Sequence, residues 1–544
     1  MNDGIPRPKE TSVAIVPVIP AAQSRQASSR SPRPQIFTRS GQTGAIFRMD
    51  SDVVKSLEVG GEMTVTDNSR GTPEVLSGWG NCPREQCHSR SAETWSDVRR
   101  AVSDADQHPV IARGLGRSYG DSSLIREGTV LTLPRLNRFL AFDAETGVLE
   151  CEAGVSFAEI IEHFLPRGWF LPTTPGTKFV TVGGAIAADV HGKNHHLDGS
   201  FGNFVLRLSL MLADGSVVDC SPTSDPDLFW ATVGGMGLTG VILSAAIKLT
   251  PVATAYCDVD YRRTRNLEST LDTFAATHQS YRYSVSWIDC LATGASLGRG
   301  VVMLGNNAER QMLPRSASAA PLGLPRRRGR RVPFFFPAGV LNPWTVKAFN
   351  TLYYAKNTDR RSIVDFNSFF YPLDGIEHWN RIYGRSGFVQ YQALFPSHTA
   401  RDGLHQLLEC IARSRQASFL AVLKGCGPAT PGMLSYLFPG FTLALDFPYR
   451  GHVTRRLFEQ MDEIVLQHSG RLYLAKDAMA SAETFGRMYP RLPEFQAVKR
   501  RVDPDNRFVS SQARRLKIVE DTEPSCDLNR EHSLTTSDPF TSVT

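Results

Sequence analysis

Residues 172–187 read Pro-Thr-Thr-Pro-Gly-Thr-Lys-Phe-Val-Thr-Val-Gly-Gly-Ala-Ile-Ala, a run in which small and hydroxylated residues crowd against an apolar stretch. Pro175-Gly176 sets a turn. Thr177 and Thr181 offer hydroxyls, and Gly183-Gly184 opens the apolar run Ala185–Ala188, which reads as the start of a buried helix. Orphan N–H groups and the helix dipole make such a start a phosphate site. A plain surface loop would not need this density of small residues beside a buried helix. The fold must therefore bring a phosphate-bearing ligand to this point.

A second glycine loop lies upstream. Pro109–Ala112 reads as a short buried strand running into Arg113-Gly-Leu-Gly-Arg-Ser-Tyr-Gly-Asp121. Gly114, Gly116 and Gly120 let the backbone approach a ligand and take positive φ. Successive free N–H groups in such a loop form an anion nest suited to a pyrophosphate; a tight turn is the plainer alternative. Downstream, Asp189-Val-His-Gly-Lys-Asn-His-His196 and Gly199-Ser-Phe-Gly-Asn203 gather three histidines, Lys193 and two asparagines, as an active-site wall would. His191, His195 and His196 suggest zinc as a rival. However, His195 and His196 are adjacent and diverge on regular backbone, and a polar loop on a cofactor or sugar better explains Lys193 and Asn194. Gly235-Met-Gly-Leu-Thr-Gly240 matches the dinucleotide fingerprint. It follows a helical-looking segment, Asp227–Val233, and lacks the acidic residue about 20 positions on, so it is no nicotinamide site.

Around the loops, periodicity lays out an α+β block. Helices are expected at Thr94–Ser103 and Phe157–Phe164, and strands at Val130–Leu133, Leu149–Ala153 and Gly240–Leu249. A hairpin joins Val205–Leu212 to Val217–Cys220 through Asp214-Gly215. From about residue 253, strands (Phe388–Phe395, Phe419–Lys424, Thr442–Pro448) alternate with helices (His405–Ser414, Thr454–Gln467). Pro314–Pro337 stands apart: Arg326-Arg-Arg-Gly-Arg-Arg331 precedes Val-Pro-Phe-Phe-Phe-Pro337.

A length of 544 residues exceeds one ordinary core and implies two or more domains. The net charge of +6 is small for that length and no basic stripe dominates, so nucleic acid is not an expected partner. Nine cysteines without a repeated spacing argue against a disulfide scaffold and fit a reducing, cytoplasmic compartment. Cys82 and Cys87 have no second pair at zinc-like spacing and read as surface thiols, so no metal is expected. No stretch reaches about 18 uninterrupted apolar residues, so no transmembrane helix is expected. Pro17 and Pro20 break the apolar run Val13–Ala22, which makes a poor secretory signal. The first 48 residues carry seven basic and two acidic side chains, but their prolines oppose an amphipathic targeting helix. Residues 1–76 read as a disordered tail.

The order of Ala112–Asp121, Pro172–His196, Gly199–Asn203 and Ala231–Gly240 resembles the vanillyl-alcohol-oxidase superfamily of flavoenzymes. Within it, Gly470–Asp477, Ala482–Phe485, Met488–Pro490 and Val502–Pro504 resemble the decaprenylphosphoryl-β-D-ribose 2-oxidase subfamily, flavin subunits of a lipid-linked ribose-to-arabinose epimerase. The resemblance spans about residues 77–517. It implies an α+β, two-domain PCMH-type FAD-binding fold with an inserted substrate domain built on an antiparallel sheet. The expected segments are 77–252 (FAD domain), 253–470 (substrate domain, with a mobile basic loop at 314–337), 471–517 (return to the FAD domain) and a disordered tail at 518–544. Along FAD it implies Gly114, Gly116, Arg117, Ser118, Tyr119, Gly120, Pro175, Gly176, Thr177, Thr181, Gly183, Gly184, Ala185, His191, Asn194, Gly240 and Val241. Some members attach FAD through a histidine in the first loop; here Gly116-Arg117-Ser118 occupies that place, so non-covalent FAD is expected.

The same resemblance implies oxidation of a secondary sugar hydroxyl, C2 of a polyprenyl-phosphoryl ribose, by hydride transfer to the flavin. Lys476 is expected to stabilise the developing alkoxide and Tyr119 or His191 to relay the proton. Lys193, Gln390, Gln392, Lys424 and Asp446 are expected on the substrate side. A short-chain reductase would complete the epimerisation. One departure stands out: near Ala444 the subfamily places a cysteine, and Thr442 replaces an expected asparagine. A soluble alditol, aldonolactone or oligosaccharide is the alternative substrate, and a non-catalytic epimerase subunit the alternative of another class. The basic-aromatic segment Arg326–Pro337 reads either as a plain basic loop or as a peripheral membrane contact.

Overall fold

Strand-forming segments on either side of the glycine loops assemble into two sheets, and the sequence from residue 253 onward builds a third and larger one. The computed structural model describes residues 71–519 except 104–107, 326–328, 338 and 417–419. The remaining tail readings, and the three arginines at 326–328, lie outside the described residues.

The first sheet has four strands in the order Thr72–Ser77, Arg84–Ser91, Thr129–Thr132, Val110–Arg113. The outer pair is antiparallel and the other two neighbours are parallel. Residues 72–76 thus form an edge strand where the sequence reading placed a tail. Backbone pairing to Arg84–Ser91 fixes them, not an apolar pattern. Cys87, read as a surface thiol, is fully buried. The return segment closes this sheet: Val110 N–H donates to Arg507 O (2.7 Å), and Val509 N–H donates to Val110 O (3.1 Å). Ile518 and Val519, read as tail, pack into the core.

The second sheet is antiparallel, in the order Phe139–Asp143, Val148–Glu152, Val241–Lys248, Val205–Met211, Val217–Cys220. Helix Phe157–Phe164 buries Phe157, Ile160, Ile161 and Phe164 in the same core, at the spacing of one helical face. Its start is fixed reciprocally: Ser156 Oγ accepts from Glu159 N–H (3.2 Å) while the Glu159 carboxylate accepts from Ser156 N–H (2.7 Å).

The third sheet has eight strands, every neighbouring pair antiparallel: Arg360–Asp365, Tyr256–Thr264, Gly300–Asn307, Tyr283–Ile288, Ala421–Cys426, Gly440–Pro448, Phe388–Pro396, Arg471–Leu472. The fold is the expected α+β one, with the later sequence built on an antiparallel sheet. Helices Leu267–Thr277, Ala400–Ser414 and His452–Gln467 cover one face. Side chains alternate across a strand, so Gln390, Gln392, Lys424, Thr442, Ala444 and Asp446 emerge together on the other face. Among the described residues no helix is long and apolar enough to cross a membrane.

Candidate active site

Three separated pieces of chain meet at the first glycine loop. Gly120 lies against the backbone of the return segment; a Cβ there would sit 2.0 Å from Asp477 O. Tyr119 N–H donates to Ala475 O (3.0 Å), and Gly114 packs against the Thr181 hydroxyl of the second segment. Gly116 takes φ +63°. The N–H groups of Leu115, Gly116, Arg117 and Ser118 have no hydrogen-bond partner among the described residues. Four successive free donors around a left-handed residue are the nest that the sequence suggested. The Arg117 guanidinium lies 4.0 Å over the Trp79 ring, and its Nε is buried without a partner among the described residues.

The second segment differs from expectation in one respect. Helix Val182–Ala187 forms and is capped by Thr181, but the donors of its first turn are already engaged. Val182 N–H donates to Val155 O (2.8 Å), Gly183 N–H to Ala153 O (2.8 Å) and Gly184 N–H to Thr181 Oγ1 (3.2 Å). Gly183 therefore serves close packing on Ala153, and Ala185 is buried. The free donors lie in the first loop instead. Gly176 and Gly184 remain exposed, nothing lies within 4 Å of a Cβ at Gly176, and Pro175 is half-buried beside it. This leaves an open floor between the loops. Thr177 Oγ1 accepts from Phe179 N–H (3.2 Å). Gly240, at φ +155°, packs against Met211 O, and Val241 is buried at the start of its strand. The loop before it rests on helix Val182–Ala187, with Gly234 N–H on Ile186 O (3.0 Å) and Met236 N–H on Ala187 O (2.8 Å).

His191 leads from this floor to the large sheet. Its Nε2 lies 3.0 Å from Gln392 Nε2, and that amide also donates to Thr442 Oγ1 (3.1 Å). With the amide as donor, the imidazole proton resides on Nδ1, which is buried without a partner among the described residues. Burial, then Lys424, His195 and Lys476, hold His191 well below the usual imidazole range, so it stays neutral. Tyr436 and Tyr473 flank it at ring distances of 5.9 and 5.2 Å. His195 Nδ1 accepts from Gly427 N–H (3.0 Å) and His196 Nε2 meets Tyr281 O (3.0 Å), so the three imidazoles serve different partners. Asn194 is spent internally, donating to Pro172 O (2.8 Å) and Asp198 Oδ2 (2.6 Å) and accepting from Thr173 Oγ1 (2.9 Å). It shapes the loop from behind.

Around the sheet face stand three lysines and a carboxyl. Lys476 Nζ lies 3.9 Å over the Tyr119 ring. Burial lowers its pKa to about 7; Asp446 opposes the shift and Lys424 adds to it. Burial lowers Lys424 to about 8. Lys193 donates to Phe370 O (3.3 Å) and is lowered to about 7 by burial, with Lys424 adding. Asp446 accepts from Gln390 Nε2 and from Tyr383 Oη (3.3 Å), and burial pushes its carboxyl up to about 7. Burial, then Asp446, keeps the Tyr119 phenol well above its ordinary range.

Asp189 was not anticipated. It is buried at φ +40°, and its carboxylate accepts four hydrogen bonds: Ser200 Oγ (2.6 Å), Gly202 N–H (3.0 Å), Thr430 Oγ1 (2.9 Å) and Ser435 Oγ (2.6 Å). It ties the His191 loop to a distant loop of the large sheet. Its donors lie up to 246 positions away, so only the helix-ending left-handed turn hinted at it locally. Tyr383, Tyr436 and Tyr473 were missed for the same reason.

The free nest, the orphaned Arg117 Nε and His191 Nδ1, and the open floor at Gly176 suit a dinucleotide with a polar ring system. Residues 90–221 match the family model described as FAD binding domain, and residues 395–516 match D-arabinono-1,4-lactone oxidase. The chain is 40% identical over 454 residues to decaprenylphosphoryl-beta-D-ribose oxidase of Mycolicibacterium smegmatis, spanning 82% of this chain and 98% of that one. It is 33% identical over 374 residues to an uncharacterized protein in the mprA 5′ region of Streptomyces coelicolor, covering 67% of this chain and all (100%) of that one. Among solved structures, Physcomitrella patens BBE-like 1 superposes with a TM-score of 0.57 at 15% identity, over 77% of this chain and 89% of that one.

Proposed function

Since the chain belongs to the decaprenylphosphoryl-β-D-ribose oxidase family and is an FAD-dependent oxidoreductase acting on CH–OH groups, we propose that it oxidises the C2 hydroxyl of a polyprenyl-phosphoryl ribose. The observation that carries this reading is the charge on the substrate face. Lys193, Lys424 and Lys476 are all destabilised as ammonium ions by burial, Lys424 depresses the other two, and Asp446 is the carboxyl facing Lys476. Such a face gains by admitting an anion. A phosphodiester supplies one, whereas a neutral alditol or lactone does not.

FAD, when bound, supplies the two-electron acceptor that takes the hydride from the carbinol carbon. The Leu115–Ser118 nest and Arg117 would hold its phosphates, non-covalently. The chain's own residues manage the proton. With its pKa near 7, Lys476 is the group matched to accept the hydroxyl proton at neutral pH. Tyr119 stays a phenol and braces Lys476 through its ring. Neutral His191, held by Gln392, offers its Nδ1 proton to an oxygen. Lys424, mostly charged at pH 7, binds the anionic group. The product is a 2-keto sugar, so a reductase partner of the short-chain type would complete an epimerisation, and a lipid-linked substrate requires peripheral contact with a membrane.

The match of residues 395–516 to D-arabinono-1,4-lactone oxidase favours a second reading, a soluble sugar or lactone. Anaerobic stopped-flow separates the two. Bleaching of the flavin by polyprenyl-phosphoryl ribose, with none by alditols or aldonolactones, is expected; the reverse pattern would discard the lipid-linked substrate.

A further inference from the structure

Helix Pro343–Lys356 is apolar on both sides. Its inner side is filled: Val346 and Asn350 are buried, Tyr353 packs on Trp287 at 4.6 Å, and Asn350 Nδ2 donates to Asp289 Oδ1 (2.7 Å). Its outer side carries Trp344, Ala348, Leu352 and Ala355 at helical spacing. Trp344 is 82% exposed and Leu352 70% exposed. These are the two most exposed large hydrophobic side chains among the described residues. The neighbouring loop adds Phe334, 62% exposed, and Phe335, 37% exposed. Exposed large hydrophobics clustered in this way mark an interaction surface.

The charge around them says what covers them. Between Glu309 and Asp359 the chain has nine basic and no acidic side chains. Of these, Arg330, Arg331, Lys347 and Lys356 are exposed in the described structure beside the aromatics. Glu377 is the acidic side chain facing this group, across the short pairing of Arg330–Arg331 with Ile376–Glu377. Exposed tryptophan with flanking cations is the composition that settles at a lipid headgroup layer. Its rings enter the interface while the cations meet anionic headgroups. The same segment reaches the substrate face. Arg381 holds Val332 O (3.2 Å) and Pro333 O (3.1 Å), and Leu341 packs on the cluster of Tyr119, Trp379, Tyr383 and Phe388, where Tyr383 touches Asp446.

We infer that the outer face of helix Pro343–Lys356, with Arg330, Arg331, Phe334 and Phe335, is a docking surface for an anionic phospholipid bilayer. It deepens the lipid-linked-substrate reading and rests on that reading for its purpose, because a bilayer held here lets the sugar reach Lys476 while the prenyl chain stays in lipid.

The test uses full-length, FAD-loaded protein and sucrose-loaded vesicles without substrate. One set is phosphatidylcholine alone and the other contains about one-third phosphatidylglycerol, since polybasic attraction needs anionic lipid. Wild type should sediment with the anionic vesicles and weaken in high salt. A variant carrying Arg330→Gln, Arg331→Gln, Lys347→Gln and Lys356→Gln should bind roughly fivefold more weakly per cation removed. Trp344→Ser with Leu352→Ser should lose most binding. Both variants should keep the flavin spectrum and the rate of flavin reduction by a short-prenyl phosphoryl ribose. No vesicle binding by wild type, equal binding by the variants, or a dimer that Trp344→Ser with Leu352→Ser dissociates would each overturn the inference. The substrate assay stands separately: an enzyme that oxidises the phosphoryl ribose without binding vesicles leaves the functional reading intact and removes only the docking surface.

Discussion

Replacing Lys476 tests the proposed proton acceptor most directly. A solvated lysine with pKa near 10.5 is neutral at pH 7 to about one part in three thousand, whereas one lowered to about 7 is about half neutral. Burial thus raises the available base by roughly a thousandfold. General base catalysis is typically worth about 10²–10⁴-fold, so Lys476→Met should slow flavin reduction by that factor. Lys476→Arg should be nearly as slow, because a guanidinium keeps the ring contact with Tyr119 but does not deprotonate. The assay is anaerobic stopped-flow from pH 5.5 to 9.5, reading the second-order constant for flavin bleaching, which reports the free enzyme. In wild type the constant should rise with pH through about 7 as Lys476 loses its proton. It should fall again above about 8 as Lys424 loses the charge that binds the anion. The lysines interact, so the two limbs belong to the set rather than to single residues. In both variants the rising limb should vanish while the flavin spectrum persists. An arginine variant within a few-fold of wild type, or a methionine variant whose residual rate still climbs through pH 7, would refute the assignment.

The other expectations are simpler to read. Asp446→Asn removes the anion that opposes the lowering of Lys476, so the rising limb should move to lower pH in the same assay. Asp189→Ala deletes an acceptor of four hydrogen bonds and leaves the Gly202 N–H buried and unpaired; a loss of about 3–5 kcal/mol is expected in denaturant unfolding, with weakened FAD retention, and Asp189→Asn should lose less because hydroxyls can turn to face an amide. Acid precipitation should release the yellow colour into the supernatant, because Arg117 stands where an attachment histidine would be needed. Ala444→Cys should gain a thiol that a small reagent modifies and bound substrate protects, because Ala444 is half-buried on the substrate face.

The sequence was most legible where structure is local. Phe157–Phe164 falls where periodicity puts it, because it buries an apolar face that repeats within a few residues, and Val217–Cys220 falls where the turn at Asp214-Gly215 puts it. Edges set by backbone pairing were not legible. Thr72–Ser77 and Arg84–Ser91 are mostly polar and carry no alternation, yet they pair over six rungs. Helix Ala400–Ser414 begins five residues before the expected His405 because Gly403, a weak helix former, is needed where a Cβ would strike the Phe395 ring at 2.5 Å. Both glycine segments read as phosphate sites by residue type, yet only the Leu115–Ser118 loop keeps free N–H donors among the described residues, while those of Val182–Gly184 are engaged. Glycines at a helix start can serve an anion or a close packing contact, and only the carbonyls of Ala153 and Val155 decide between them.

The sheet face proposed to meet the substrate shows why a departure from the family pattern need not undo the chemistry. Its side chains come in rungs fixed by strand register: Asp446 opposite Gln390; Ala444 between Val422 and Gln392; Thr442 between Lys424 and Leu394. On the first rung Asp446 receives Gln390 and opposes the lowering of Lys476. On the last, Thr442 Oγ1 accepts from Gln392, which in turn meets His191, and it shares a 2.6 Å hydrogen bond with the Tyr436 hydroxyl. A hydroxyl at 442 therefore keeps the amide of Gln392 aimed at the imidazole. Ala444 sits on the middle rung, where no hydrogen bond or ion pair of the site passes through it. A smaller side chain there widens the face without breaking the chain of contacts from Thr442 to His191 or from Asp446 to Lys476. The difference from the family falls on the shape of this face, not on the groups proposed to take the proton.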